Sequence, residues 1–427
     1  MCIEIIMARD QRILGIFIYT LAALFLLYEM GLQVSPSIMT RDLMYEFKVG
    51  AASLGVMTSF YFYSYTLMQI PVGLLFDRFN ARGLITGAVL LCSIGTFFFA
   101  FTHQIAWAAF GRFLMGIGSA FAFVGALVMA ARWFPTKYFA LLVGMAQFLA
   151  ALGALGGELP LSAMLEHWRW RIVMIFLGSI GIVLTLLCFM IIRDNPYQER
   201  HIPKKHDLFR ELKEIVKSSQ TWWIALYAFC GWGPVAVFAA LWGVPYLRVR
   251  FQVPTTYAAL SMALLWIGIG ITSPIIGWLS NKMGRRRIFI SICAAIGLVS
   301  SLILFYLPGI TFGLSFILLF GIGIAASGQI LSFALVKDNN RPSTTGTAIG
   351  LNNMAVVAGG ALFQPFVGYL LQVFWDGAKD GWSVPVYSIV NYHLGLIVVP
   401  ACFLVGLISS LFFIQETYCR LKYDTAL

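Results

Sequence analysis

The chain has 427 residues, of which 60% are hydrophobic and only 11% charged, and its mean hydropathy is +0.85. That balance excludes a soluble globular domain and points to a protein that crosses a bilayer several times. The net charge of +11 would indicate nucleic acid in a soluble protein, but here its distribution between the two sides of the membrane carries the meaning.

The apolar runs have helical length and are not ~10-residue alternating segments, so a closed barrel is excluded as well. Arg9 and Arg12 precede an apolar run from Ile13 to Val34, too long for a signal-peptide core, which is expected to stay as the first span. Further spans are predicted at 52–75, 83–102, 105–130, 138–164 and 170–192. A charged stretch from Arg193 to Gln220 follows, in which Leu208, Leu212, Ile215 and Val216 keep helical spacing. It predicts an amphipathic helix resting on lipid headgroups. Six more spans are predicted at 221–247, 256–280, 288–307, 311–336, 344–372 and 389–414.

The result is an all-α polytopic membrane protein: a six-helix bundle over 1–192, a cytoplasmic linker over 193–220 and a second six-helix bundle over 221–427. With these spans, 21 of the 29 Lys and Arg fall on the side that holds both termini and seven on the other, which places the termini in the cytoplasm. Seven cysteines, mostly inside apolar runs, offer neither a disulfide framework nor a metal signature.

A short motif appears twice. Gly73, Asp77, Arg78 and Arg82 match Gly277, Asn281, Lys282 and Arg286 at a constant offset of 204. Gly116-Ile117-Gly118 matches Gly321-Ile322-Gly323 at 205, while Gly144 and Gly153 match Gly350 and Gly359 at 206. Two similar membrane halves are the architecture of solute carriers.

The loop from Gly73 to Arg82 resembles the signature between the second and third helices of the major facilitator superfamily, with its degenerate copy in the same place of the second half. The resemblance implies that Asp77 caps the start of the eleventh helix and that the basic residues latch the cytoplasmic side. A carboxylate at a helix N-terminus is worth ~0.3–1 kcal/mol, enough to bias two nearly balanced conformations, so the uncharged Asn281 makes the weaker latch. Gly111-Arg112-Phe113-Leu114-Met115-Gly116-Ile117-Gly118 resembles the family's fourth-helix motif, whose intramembrane Arg is linked to proton movement. Tyr28-Glu29, Met68-Gln69-Ile70-Pro71 and Trp242-Gly243-Val244-Pro245-Tyr246-Leu247 are similar to a bacterial branch of nutrient carriers, distantly similar to lysosomal dipeptide carriers. The Gly-Pro pair of drug antiporters is missing after Gly144, Gly153, Gly156 and Gly157, which demotes efflux to the alternative.

Charges inside a span cost about 2.5–3.5 kcal/mol each, so Glu29, Arg112 and Glu158 are the functional candidates. Counted from the expected span ends, all three lie about 9–10 Å below the outer surface. Glu29 or Glu158 is expected to carry a coupling proton, with Arg112 tuning that carboxylate or holding an anionic group of the solute. A permanent Glu29–Arg112 ion pair that only fixes packing is the alternative.

The family's cavity helices offer Tyr227, Trp232, Trp242, Tyr246 and Gln329, joined by Asn352, Asn353 and Gln364. An aromatic cavity with a few amides suits a small zwitterion or organic acid better than a sugar. Gly231, Gly233 and Pro234 are expected to interrupt the seventh helix.

Enzyme chemistry fails on inventory, because no GxSxG, HExxH or GxxxxGK occurs. The reading is a secondary active transporter working by alternating access, with proton-coupled uptake of an amino acid, short peptide or organic anion. Proton-driven drug or metabolite efflux is the alternative, and a transport-inactive receptor comes last. No cofactor, metal or nucleic acid is expected; the partners are the solute, protons and lipid, for a monomer in a bacterial inner membrane.

Overall fold

The computed structural model describes residues 2–134, 139–193, 208–341, 344–420 and 422. Among the described residues helices make up most of the chain, joined by short connections and a longer one over 374–388, with a lone bridge between Lys379 and Pro385 as the one extended pairing. The membrane helices are α1 (Ile13–Ile38), α2 (Ala51–Arg78), α3 (Ala81–Phe101), α4 (Ile105–Trp133), α5 (Leu142–Leu165) and α6 (Trp170–Ile191), then α7 (Ser219–Phe251), α8 (Thr255–Met283), α9 (Arg287–Tyr306), α10 (Phe312–Asn339), α11 (Thr345–Val373) and α12 (Ile389–Phe413).

Eleven of these are long and apolar enough to cross a membrane. The other, α2, has 28 residues and is as long as its neighbours, but Ser59, Tyr61, Tyr63, Ser64, Tyr65 and Gln69 dilute its hydropathy. A span can carry such residues where they face protein or a cavity and not lipid, and Ser59, Tyr61, Ser64, Tyr65 and Gln69 are all buried. Between the halves lies the helix Leu208–Lys217, on which Ile215 is buried while Val216 is exposed. The side chains of Leu208 and Leu212 lie outside the described residues.

The expected interruption of α7 takes a milder form. The helix runs through Gly231 and Gly233 to Pro234, widens into a π-helical stretch over Val235–Trp242 and resumes at Gly243–Phe251. Proline removes one N–H and crowds the preceding turn, and a wider turn absorbs both without breaking the rod.

The end of α1 touches α7 within Val235–Phe251, and the halves meet most extensively through α2 against α11 and α5 against α8. The offset near 205 carries α2 onto α8 and α5 onto α11, so these are one contact seen twice under a pseudo-twofold relation. The packing inside each half repeats too. Gly153 of α5 lies against the backbone of Leu27 on α1, and its match Gly359 on α11 lies against Gly233 on α7, where a Cβ would stand 2.5 Å from the Gly233 Cα. Leu27 and Gly233 are themselves related by the same 206 residues.

The two ends of the molecule differ. At the end away from the termini, a Cβ on Gly55 of α2 would stand 2.5 Å from the Gln364 carbonyl of α11. There the Ala51 N–H donates to the Tyr387 hydroxyl at 2.8 Å, Arg41 pairs with Asp380 at 2.7 Å, and the Thr256 hydroxyl bonds Glu166. At the end that carries the motif loops, Gly73, Gly144, Gly277 and Gly350 all face open space. Among the described residues the halves are therefore clasped at one end and splayed at these matched glycines of the other.

Candidate functional site

A cavity lies between the halves. The first half supplies Glu29 and Gln33 from α1, Phe62 and Tyr65 from α2, Phe123 from α4 and Gln147 from α5. The second half supplies Trp232 from α7, Trp266 from α8, Gln329 and Phe333 from α10 and Asn353 from α11. Glu29 and Gln33 are four residues apart, which puts both on one face of α1. Among the described residues Glu29 is the one charged side chain on this wall.

Glu29 and Arg112 are both nearly inaccessible, each 1% exposed, and they do not form an ion pair. Tyr61 stands between them. Its hydroxyl donates to Glu29 Oε2 at 2.6 Å, and the Arg112 guanidinium lies over its ring, 4.5 Å from the centroid. The guanidinium also donates to the carbonyls of Leu32 at 2.9 Å and Gln33 at 3.5 Å, while its Nε has no partner among the described residues. Arg112 is thus a buried cation held by carbonyl dipoles and a π-face, with no carboxylate against it. Its backing of the α1 segment that ends at Gln33 lends the cavity wall positive potential from behind.

Glu158 belongs to a different place. Its Oε1 accepts from the Ser37 hydroxyl at 3.3 Å and its Oε2 from the Trp266 indole at 3.0 Å, so it ties α5 to the end of α1 and, across the halves, to α8. The carboxylate itself is fully buried and is not on the cavity wall, whereas Trp266 is on both.

Of the residues expected in the cavity, Trp232, Gln329 and Asn353 line it. The Asn353 amide also reaches across the halves to Gln69 Oε1, on the motif-loop side of the cavity. The other five sit in packed protein. Tyr227 donates to the Ile290 carbonyl at 2.9 Å within the second half, and Tyr246 donates to the Leu304 carbonyl at 2.8 Å within a cluster of Phe238, Phe305 and Tyr392. Trp242 donates to the Gln364 carbonyl at 3.3 Å, and the Gln364 amide donates to the Ala236 carbonyl at 2.8 Å. Asn352 donates to the Ser332 hydroxyl at 2.8 Å. Each makes a hydrogen bond inside its own bundle and so points away from the cavity, although Asn352 Oδ1 and Gln364 Oε1 have no partner among the described residues.

Sequence reasoning missed Tyr61, Tyr65, Gln33, Gln147 and Trp266. The amides were detectable as polar side chains inside spans, and Gln33 by its four-residue spacing from Glu29. The aromatic residues carried no such signal.

The two motif copies differ in their surroundings. In the first, Arg78 is exposed, Arg82 stacks over Phe189 at 4.4 Å from the ring centroid, and the side chain of Asp77 lies outside the described residues. In the second, Arg286 pairs with Asp338 at 2.6 Å and donates to Asn281 at 3.3 Å, while Lys282 lies over Trp278. Glu416, from the segment after α12, accepts the N–H groups of Arg286 and Arg287, both at 2.9 Å, and so caps the start of α9. Gly284, at φ 62°, closes the end of α8 in the left-handed conformation that glycine adopts without steric cost.

Comparison with known proteins agrees with this architecture. The family model described as Major Facilitator Superfamily matches residues 21–364. An uncharacterized transporter, YybO of Bacillus subtilis, is 25% identical over 272 residues, covering 60% of this chain and 62% of that protein. The probable galactarate/D-glucarate transporter GarP of Escherichia coli K12 is 34% identical over 162 residues, 35% of each chain. The chain therefore spans less than two thirds of either relative. A bacterial homolog to the human lysosomal transporter Spinster, solved in an inward-facing and unoccupied conformation, superposes with a TM-score of 0.73 at 18% identity, covering 95% of this chain and 96% of that one. These relatives are transporters and not enzymes. Paired six-helix halves, the duplicated loop motif and a model match over residues 21–364 make this chain a member of the Major Facilitator Superfamily.

Proposed function

We propose that the protein is a secondary carrier that moves a small organic anion together with a proton by alternating access, its bundles 1–192 and 221–427 rocking about the central cavity. The observation that carries this reading is the Glu29–Tyr61–Arg112 array: one buried negative group and one buried positive group, separated by a tyrosine and not neutralised in a direct pair.

Charge balance gives the coupling. With Glu29 ionised, the array is neutral and an anion beside it meets a like charge. A proton on Glu29 removes that repulsion and leaves the Arg112 charge unmatched, which an arriving monoanion offsets. Proton and anion thus favour each other's binding, and uptake is driven by the proton gradient. The acidic substrates in GarP's name agree with an anionic solute.

The basic side, with both termini, is the cytoplasm of a bacterial inner membrane in this reading, so the splayed motif-loop end makes this conformation inward-open. The carrier acts as a monomer. Glu158 serves the clasp between halves through Trp266 and carries no coupling proton.

Efflux of an organic cation in exchange for protons is the second reading, favoured by a wall that is rich in aromatic rings and carries no basic side chain. Reconstituted protein decides between them. Glu29→Gln keeps solute counterflow but loses accumulation driven by an imposed pH gradient. Gradient-driven accumulation at the wild-type level in Glu29→Gln would refute the coupling assignment.

A further inference from the structure

The cavity wall is more specific than an anion site requires, and building on the reading above we infer that the solute is a ring-bearing monocarboxylate: one carboxyl group on a flat aromatic or heteroaromatic frame, and not a sugar diacid.

Three observations converge. The first is an unused donor. Gln33 is 3% exposed and lines the cavity, yet its Nε2 has no partner among the described residues. A buried amide donor left unmade is disfavoured, and the place of Gln33 on the cavity wall offers that donor to an acceptor on the solute. Glu29 lies one helical turn away on the same face. When protonated, its hydroxyl is a second donor, and a carboxylate between the two takes one hydrogen bond from each.

The second is the charge count. Among the described residues Arg112 is the one buried cation behind this wall, and it can offset a single negative charge once Glu29 is protonated. A diacid would bring a second carboxylate into a cavity with no further positive group among the described residues, and an unpaired buried ion is strongly disfavoured.

The third is the opposite wall. Trp232, Trp266 and Phe333 from the second half face Phe62, Tyr65 and Phe123 from the first. Six rings can hold a flat solute by stacking and edge contact. A polyhydroxylated chain would need partners all along its length, whereas beyond Glu29 and Gln33 the described wall offers little besides Gln147, Gln329, the Tyr65 hydroxyl and Asn353, whose amide already bonds Gln69, among six rings and aliphatic side chains.

The test uses purified full-length protein in liposomes and four probes: a hydroxybenzoate, an aliphatic monocarboxylate of similar size, galactarate and an aromatic amine. Each competes in counterflow and in proton-driven uptake. The hydroxybenzoate is expected to compete at least tenfold more strongly than the aliphatic acid, and galactarate not at all. Trp232→Ala should weaken the hydroxybenzoate about tenfold while leaving the aliphatic acid within twofold. Gln33→Leu should weaken both acids. Preference for galactarate or the aliphatic acid, with proton coupling intact, overturns the ring assignment and leaves the carrier reading standing. Preference for the amine with no acid accepted overturns both. The ranking of the four probes on the wild type decides the matter even where a variant fails to fold.

Discussion

Gly55→Ala offers a direct test of the clasped end. Its Cβ would lie 2.5 Å from the Gln364 carbonyl oxygen, 3.1 Å from the Gln364 carbonyl carbon and 3.2 Å from the Pro365 Cα. All three are backbone atoms of α11, so no side chain can rotate aside, and ordinary contact at about 3.5 Å requires the helices to part by roughly 1 Å. That same Gln364 carbonyl accepts the Trp242 indole N–H, so the shift strains a second bond that links α7 to α11. Overpacking of this kind costs about 1–3 kcal/mol, which moves a two-state equilibrium ~5–150-fold away from the clasped form. Hydrogen–deuterium exchange of the solubilised protein reads the result: segments 40–50 and 376–388 should exchange faster by one to two orders of magnitude. Gly350→Ala is the matched control. It faces open space at the splayed end, so it should leave that exchange unchanged and add up to ~1 kcal/mol of helix stability. Unchanged exchange and unchanged thermal stability in Gly55→Ala would mean that α2 and α11 do not approach as closely as described.

Two further outcomes follow from clusters outside the cavity. Asp338→Ala leaves the Arg286 guanidinium buried without its carboxylate and also removes the acceptor of the Thr417 hydroxyl, so it should destabilise the protein by about 3–5 kcal/mol, read as a shortened thermal half-life in detergent. Arg78→Ala, at an exposed position, should change it little. At the clasped end, burial raises the Glu46 carboxyl, but the bonds from Arg171 at 2.6 Å and His103 at 2.8 Å outweigh it and hold it below the usual glutamate range. A depressed carboxylate contributes stability above its unfolded value and loses it as pH falls through the folded one. Thermal stability should therefore drop on acidification below about pH 4.5 in wild type, and less so in Glu46→Gln, as followed by unfolding scans across that window.

The spans and the repeat were legible because bilayer thickness imposes a length and duplication leaves a constant offset. Each of the twelve expected helices is present, α2 among them although its polar side chains dilute its hydropathy. Glu29, Arg112 and Glu158 stood out because charge is rare inside a span. Their relations did not. A sequence period tells which residues share a helix face, but not which neighbour that face meets, and so the tyrosine between Glu29 and Arg112 could not be read. The same gap explains Tyr246 and Trp242, whose rings turn into their own bundle where carbonyl acceptors await them. It also hid Trp266, whose link to Glu158 depends on how α5 and α8 cross.

The unequal surroundings of the duplicated loops have a mechanical consequence. The stretch after α12 grips the second loop through Glu416, while the Thr417 hydroxyl donates to Asp338, the partner of Arg286, so loop, α9 and α10 travel as one solid block. No such tail grips the first loop among the described residues. Any bolt thrown between the halves must then slide from the first half into a fixed keeper on the second, and shortening the chain from its C-terminal side would loosen the keeper without touching the bolt.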